Sequence, residues 1–164
     1  MDDELLARDL MDRNFASLPL SAPLRDAALL LQAAREQDGA EARSLVVLDE
    51  DGAFAGAVSM MIIVDAVTPE FMKESPHLGP AAWEGLFAEC IEGGARMKVK
   101  DVMDETLGTV REDSRLPEIM LAMASGRIPL VPVAGEDKKV IGVIRLPAVF
   151  GEIAKRFARM SGPR

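Results

Sequence analysis

The sequence predicts an α/β (α+β) fold made of two β-α-β-β-α repeats, with an amphipathic helix inserted between them. The segment Asp9–Asp12 returns as Asp101–Asp104, at an offset of 92 (101 − 9) that holds without a gap for residues 7–31. The register then resumes at an offset of 86 (142 − 56), where Gly56–Val58 corresponds to Gly142–Ile144. Because internal duplication marks repeated supersecondary units, the chain contains two copies of one unit. The first copy carries six extra residues (92 − 86).

Each copy opens with a short segment and two strand-like residues, followed by a helix. The two strand-like residues are Ser17-Leu18 in copy one and Thr109-Val110 in copy two. Apolar residues then recur at i, i+3, i+4 and i+7, the spacing of a buried helical face: Leu24, Ala27, Ala28 and Leu31 in copy one, and Leu116, Ile119, Met120 and Met123 in copy two. Ser21 is the expected N-cap of the first helix, with Pro23 in its first turn, and Asp113 or Ser114 caps the second.

The second half of each copy is a β-hairpin followed by a helix. Strands are expected at residues 45–48 and 53–59 in copy one, and at 130–133 and 140–144 in copy two. In copy one the turn contains Asp51-Gly52, and this dipeptide between apolar runs favours a hairpin because glycine adopts positive φ without strain. The last helix should run from Pro147 to about Met160.

The segment between the copies does not repeat. It is rich in proline and glycine at its start, which is typical of a loop. From Pro80 onward, apolar residues again have helical spacing: Trp83, Leu86, Phe87, Cys90 and Ile91. This helix should bury its apolar face either on the repeats or in a dimer contact. The predicted organisation is therefore a first repeat at 1–67, a connector at 68–98, and a second repeat at 99–164.

The composition of the chain argues against nucleic-acid-binding, membrane and secreted proteins. The chain of 164 residues has 19 basic and 27 acidic residues, a net charge of −8 and no tyrosine. This balance disfavours nucleic-acid binding, which depends on neutralising phosphates. The longest mostly apolar stretch is too short to span a bilayer. The acidic N-terminus lacks a secretory pattern, and Cys90 has no partner cysteine. We therefore expect a cytoplasmic protein that binds neither membranes nor nucleic acid.

Several candidate chemical sites have simpler interpretations. Consecutive acids at 49–51 point alternately on a hairpin and favour a solvated turn over a cation site. The paired acids of the repeated Asp-x-x-Asp segments favour turn or capping roles. His77, the single histidine, makes no metal set or catalytic triad, and Cys90 is expected to be a small apolar residue. We therefore expect no catalytic residues, no metal site and no enzymatic activity.

The second copy contains, in order, Lys100–Met103, the Thr109-Val110 pair, the capped helix, and the strands within residues 128–133 and 140–144. This series resembles a cystathionine-β-synthase (CBS) domain. Copy one matches the same series more loosely. The resemblance implies that the two repeats pack as a pseudo-twofold pair, and such pairs commonly associate further into a homodimer. In this family, clefts between the domains bind adenosine ligands such as AMP, ADP, ATP or S-adenosylmethionine, and the module regulates a partner without catalysing a reaction.

The resemblance also implies where a ligand would bind. The corresponding positions in this chain, with two arginines added as basic candidates for phosphate, are Ser17, Leu18, Ser44, Leu45, Ser59, Thr109, Val110, Arg127, Ile128, Pro129 and Arg145. The start of the strand in copy one also includes Arg43. Ser59 and Arg145 occupy equivalent places (145 − 59 = 86). Both also have a structural interpretation, Ser59 as a helix cap and Arg145 as a solvated side chain.

The chain departs from the family at the carboxylate that accepts hydrogen bonds from the ribose hydroxyls. Ile62 stands at this position in copy one and Ala148 in copy two. An unmade buried hydrogen bond costs roughly 1–3 kcal/mol. Asp65, one helical turn further along, is a substitute that would lie about 4.5 Å higher. Two functions follow: a sensor of an adenine nucleotide or related ligand that signals to a partner, or a degenerate pair without a nucleotide site that serves as a dimerisation or docking scaffold.

Overall fold

The computed structural model describes residues 4–38, 44–74, 77, 79, 83–126, 128–160 and 162. Within them, copy one consists of α1 (Ala7–Leu10), β1 (Ser17–Pro19), α2 (Leu24–Asp38), β2 (Ser44–Leu48), β3 (Phe54–Ser59) and α3 (Met60–Val67). The connector contains α4 (Glu70–Glu74) and α5 (Leu86–Ala95). Copy two consists of α6 (Val99–Val102), β4 (Val110–Arg111), α7 (Leu116–Ser125), β5 (Leu130–Ala134), β6 (Val140–Arg145) and α8 (Leu146–Met160).

Each copy forms one three-stranded sheet of the same topology. The strand orders are β1-β2-β3 and β4-β5-β6, with a parallel first pair and an antiparallel hairpin as the second. Gly52 adopts φ 79° in the first hairpin turn, as expected for glycine there. Asp49 stabilises this turn because its Oδ1 accepts the N–H groups of Asp51 and Ala53, each at 2.9 Å. The β-α-β-β-α prediction is confirmed for both copies.

In the described parts of the chain, three apolar clusters form the core. One is built mainly from copy one and includes Leu24 and Leu45, and a second is built mainly from copy two and includes Ile119 and Ile144. A third cluster is shared between the copies. Its buried members are Val46, Ala57, Leu107, Ile128, Leu130 and Val143. Because burial of apolar surface is the main favourable term in folding, the shared cluster couples the stability of one copy to that of the other.

The short N-terminal helix of each copy packs on the other copy. Ala7 of α1 is buried in the copy-two cluster, whereas Val99 of α6 is buried in the copy-one cluster. Backbone hydrogen bonds fix this exchange: the N–H of Val99 donates to Ala22 O at 2.9 Å, and the N–H of Ala7 donates to Ser114 O at 2.8 Å. The pairs are repeat equivalents (99 − 7 and 114 − 22 both equal 92), so the exchange is reciprocal.

This exchange explains why the predicted helix caps are wrong. The first helix begins at Leu24, and the Pro23 carbonyl accepts the N–H groups of Asp26 and Ala27, so Ser21 lies outside the helix. The N-cap of α7 is Arg115, not Asp113 or Ser114. In both copies the residue directly before the helix, Pro23 or Arg115, is held extended by a β-bridge to the short segment of the other copy.

The same region corrects one residue of the apolar stripe in copy two. Ile119 is fully buried, but Met120 is exposed. Met120 lines an apolar groove of about 400 Å³ between α7 and α8. The groove is also lined by Met123, Leu146, Val149 and Ile153. The spacing of Met120 is that of a buried position, but the neighbouring helix leaves part of that face open.

The connector helix packs on α2 and α3 of copy one. Its regular part begins at Leu86, after the expected start near Pro80, because Gly85 takes the left-handed conformation at φ 73° and separates it from the helical Trp83. Leu86 is buried and Gly94 lies against Val67, whereas Phe87 is 78% exposed. The expected packing on the repeats is therefore confirmed for one edge of the helix only. No helix among the described residues is long and apolar enough to cross a bilayer.

Candidate functional site

Two clefts lie at equivalent places in the two copies, each where the last strand of a copy meets its following helix. The first cleft, of about 910 Å³, lies at the β3–α3 junction and includes Ser59, Ile62 and Asp104 in its lining. The second cleft, of about 370 Å³, lies at the β6–α8 junction and includes Arg145 and Asp12. Each cleft combines a junction from one copy with the short N-terminal segment of the other. The helix exchange therefore builds both.

Backbone bridges position these short segments against the strands. In the first cleft, Asp104 and Ala57 exchange N–H···O bonds of 2.9 and 3.0 Å, and in the second, Asp12 and Val143 exchange bonds of 2.8 and 2.9 Å. Gly56 and Gly142, the neighbours of Ala57 and Val143, allow this close approach. The aspartates are thereby held at the walls of the clefts.

The repeated acids have the turn and capping roles that the sequence indicates. Asp9 Oδ2 accepts the Leu6 N–H at 2.9 Å, and Asp101 Oδ2 accepts the Lys98 N–H at 3.0 Å. In the second half of each motif, Asp12 Oδ1 accepts the Asn14 N–H and Asp104 Oδ1 accepts the Thr106 N–H, both at 2.8 Å. Sequence reasoning treated these acids as structural alone, and it missed that Asp104 and Asp12 also line the clefts.

Ser59 and Arg145 have different roles at their equivalent positions. Ser59 is the N-cap of α3, where its Oγ accepts the Ile62 N–H at 3.1 Å. Arg145 is 23% exposed, and its Nη1 donates to Asp12 Oδ2 at 2.7 Å across the second cleft. Arg145 is thus an ion-paired side chain and not the solvated one that the simpler interpretation expected. The capping interpretation of Ser59 is confirmed.

Apart from three polar residues, the remaining candidate positions fall into three groups. Ile128 is buried in the lining of the first cleft, and Pro129 is half-buried beside it in the apolar groove between α7 and α8. The side chains of Leu18, Leu45 and Val110 are buried in the cluster of their own copy, so only their backbone could meet a ligand. Arg127 and Arg43 lie outside the described residues.

Three polar candidates remain, of which Ser17 and Ser44 lie on strands and Thr109 directly precedes β4. Ser17 and Thr109 are exposed, and Thr109 lines a separate surface depression together with Phe54 and Arg111. Ser44 is paired with Ser59 across the β2–β3 hairpin, and its buried Oγ has no hydrogen-bond partner. Of the candidate residues, the structure therefore brings Ser59 and Ile128 together in the first cleft and places Arg145 in the second.

Asp65, the suggested substitute for the missing carboxylate, lines the first cleft but is already paired. Its Oδ1 lies 2.9 Å from Lys73 Nζ, and this hydrogen bond raises the pKa of Lys73. In the described parts of the chain, no three His, Cys, Asp or Glu side chains converge to hold a metal ion. Cys90 is half-buried and carries a free thiol.

Comparisons with known proteins agree with this architecture. A CBS domain-containing protein from Kribbella flavida has a TM-score of 0.73 and 23% identity, covering 92% of this chain and 99% of that one. The CBS-pair protein CBSX2 from Arabidopsis thaliana has a TM-score of 0.69 and 20% identity, with coverages of 95% and 98%. The cytosolic domain of the Mg²⁺ channel MgtE in complex with ATP has a TM-score of 0.64 and 18% identity, with coverages of 92% and 49%.

These structural likenesses establish the fold, and the family follows from the sequence itself. A comparison with curated proteins finds no match. The family model described as the CBS domain matches residues 7–68 and 99–155, which together make up more than half of the chain. The two matched regions coincide with the two copies found from the internal repeat, and so this chain belongs to the CBS domain family as a tandem pair.

Proposed function

We propose that this chain is a non-catalytic sensor that binds an adenosine-type ligand in a cleft between its two repeats and signals its state to a partner protein. The observation that carries the proposal is the first cleft. It is formed by residues of both copies, and its volume of about 910 Å³ is within the range of small-molecule sites. A ligand in this cleft would contact both repeats. Its binding would therefore change the stability of one repeat against the other. The ATP complex of the MgtE cytosolic domain supports an adenine nucleotide as the ligand class.

The ligand test is a set of thermal melts with AMP, ADP, ATP and S-adenosylmethionine. A ligand at 100 times its dissociation constant stabilises the folded state by about 2.7 kcal/mol. At roughly 2–4 °C per kcal/mol for a chain of this size, the melting temperature should rise by about 5–11 °C. Guanosine at the same concentration is the control for unspecific effects. Unchanged melts with all four adenosine compounds at millimolar concentration would reject the sensor function.

The second candidate function is a dimerisation or docking scaffold without a nucleotide site. It is favoured by the second cleft, which is smaller than the first and whose Arg145 and Asp12 side chains are already paired with each other. Ile62 and Ala148, which replace the family carboxylates, favour it as well. Flat melts combined with a stable oligomer would support this candidate. A cytoplasmic location, the boundaries 1–67, 68–98 and 99–164, and the identity of the partner remain predictions under both functions.

We further propose a homodimer, through the outer faces of the helices. Exposed apolar side chains occur at repeat-equivalent positions: Leu29 and Leu121 (offset 92), and Val64 and Phe150 (offset 86). A surface that is itself nearly twofold symmetric suits an isologous contact with a second copy. Sedimentation should therefore show a dimer of the 17.7 kDa chain.

Two matched substitutions test which surface is buried in that dimer. Leu121, which is 70% exposed on α7, should give a monomer when changed to aspartate, because a buried unpaired charge is strongly unfavourable. Phe87→Asp is the control, because Phe87 is also largely exposed, at 78%, but lies on the connector helix. If Phe87→Asp gives a monomer and Leu121→Asp does not, the dimer interface lies on the connector helix instead. A single 17.7 kDa species for the unmodified chain would reject the dimer.

A further inference from the structure

The equivalent aspartates of the two clefts differ in their hydrogen-bond partners. Asp12, in the second cleft, uses Oδ1 for the Asn14 N–H and Oδ2 for Arg145. Asp104, in the first cleft, uses Oδ1 for both the N–H and the hydroxyl of Thr106, at 2.8 and 2.6 Å. Arg145 corresponds to Ser59 in the first cleft, and Ser59 Oγ is occupied as the cap of α3. Within the described chain, Asp104 Oδ2 therefore has no hydrogen-bond donor.

The other acids of the first cleft are less suited to bind a ligand. Asp65 is ion-paired with Lys73, and Asp101 directs its Oδ2 to the Lys98 N–H. Both are largely exposed to solvent, whereas Asp104 is half-buried and fixed through its backbone bridge to Ala57. A half-buried carboxylate oxygen at a fixed position makes stronger hydrogen bonds than an exposed, mobile one. Asp104 is thus the acceptor that the first cleft offers.

The lining indicates which part of a ligand faces Asp104. Among the described residues, the first cleft is lined by three carboxylates, by hydroxyls and by apolar side chains such as Ile62 and Ile128, with no lysine or arginine. A phosphate beside Asp104 would be repelled, whereas neutral hydroxyl groups donate hydrogen bonds to a carboxylate. Two adjacent hydroxyls, as on a ribose, suit a carboxylate that accepts two hydrogen bonds.

We propose that Asp104 is the ribose-binding residue of this chain, that it replaces the carboxylate lost at Ile62, and that each chain has one ligand site, the first cleft. This inference rests on the proposed sensor function. It also accounts for the difference between the clefts: Arg145 donates to Asp12 Oδ2 in the second cleft, whereas the serine at the equivalent position leaves Asp104 Oδ2 without a donor among the described residues.

The test is titration calorimetry with two probe pairs, adenosine and ATP, each beside its 2′,3′-dideoxy form. The variant is Asp104→Asn, whose amide oxygen can keep the Thr106 bond while the charge is lost. Asp12→Asn is the matched control at the equivalent position. We expect one site per chain, binding about 10- to 100-fold weaker for Asp104→Asn and for the dideoxy probe, and binding within 3-fold of the unmodified chain for Asp12→Asn.

The outcomes separate this inference from the proposed function. If a probe binds but Asp104→Asn binds it equally well, or if the dideoxy form binds as tightly, Asp104 is not the ribose acceptor and the sensor function stands. Two sites per chain would overturn the single-site claim in the same way. If neither adenosine nor ATP binds the unmodified chain, this inference fails, whereas the proposed function fails only if the melts with AMP, ADP and S-adenosylmethionine are unchanged as well. The dideoxy comparison uses the unmodified chain, so it decides the matter even if Asp104→Asn folds poorly.

Discussion

Gly56→Ala will destabilise this protein by about 1–3 kcal/mol, because the added methyl group has no space. A Cβ at Gly56 would lie 2.7 Å from Met103 Sδ and 3.0 Å from the carbonyl oxygen of Asp104. The methionine side chain can move, but the backbone oxygen is held by the bridge between Asp104 and Ala57. The substitution must therefore push the segment that carries Asp104 away from β3. At roughly 2–4 °C per kcal/mol, the melting temperature should fall by about 2–12 °C.

The matched control is the same substitution at Gly93. This glycine is exposed within α5, and a Cβ there would meet no atom within 4 Å. Alanine is favoured over glycine in a helix by about 1 kcal/mol, so Gly93→Ala should raise the melting temperature. The two identical changes thus have opposite expected signs. A Gly56→Ala protein that melts at or above the temperature of the unmodified chain would contradict the close approach on which the first cleft depends.

Ile119→Ala will cost about 2–5 kcal/mol of the unfolding free energy, since it removes a fully buried side chain from the copy-two cluster. Urea denaturation followed by circular dichroism measures this loss. The control is Ile91→Ala on α5, where the side chain is 48% exposed. Both residues lie in helices, so the gain in helix propensity is the same and the difference reports burial. We expect Ile91→Ala to change the unfolding free energy by less than about 1 kcal/mol.

The same experiment tests whether the two copies unfold together. Trp83, the single tryptophan, lies in the connector just before α5, the helix that packs on copy one. Its fluorescence therefore reports on that region, whereas Ile119 lies in copy two. Because the third apolar cluster is shared between the copies, the fluorescence and circular dichroism transitions of Ile119→Ala should coincide. If the fluorescence transition of Ile119→Ala stays at the urea concentration of the unmodified chain, the copies unfold separately.

Much of the fold could be predicted because its signals are local. The hairpins and strands lie within one or two residues of their expected bounds, and α8 runs to Met160 as its spacing indicates. The alternation of apolar and polar residues and the turn residues are properties of neighbouring positions. The helix starts were wrong for a non-local reason, because Ala22 and Ser114 are bonded to segments that lie in the other copy.

The candidate site was harder to predict, for a related reason. The sequence pointed to Ser59 and Arg145 as equivalent and divergent positions, and both line clefts. It could not show that Asp12 would satisfy Arg145, because the two residues are 133 positions apart and belong to different copies. The sequence predicts only a turn role for Asp104, and one of its oxygens does bond within a turn. The signal for its second role is that Asp104 is equivalent to Asp12, whereas the residue at the position of Arg145 is Ser59.

A duplicated β-α-β-β-α unit can be predicted from the sequence alone, because the repeat, the helical spacing and the hairpin turns depend on residues close together in the chain. The sheet that each short N-terminal helix covers depends instead on long-range packing. Ala7 and Val99 occupy equivalent positions and have the same local preferences, so no pattern distinguishes packing on their own copy from packing on the other. The shared apolar cluster and the backbone bridges favour the exchange, and that exchange brings Asp104 to Ser59 and Asp12 to Arg145.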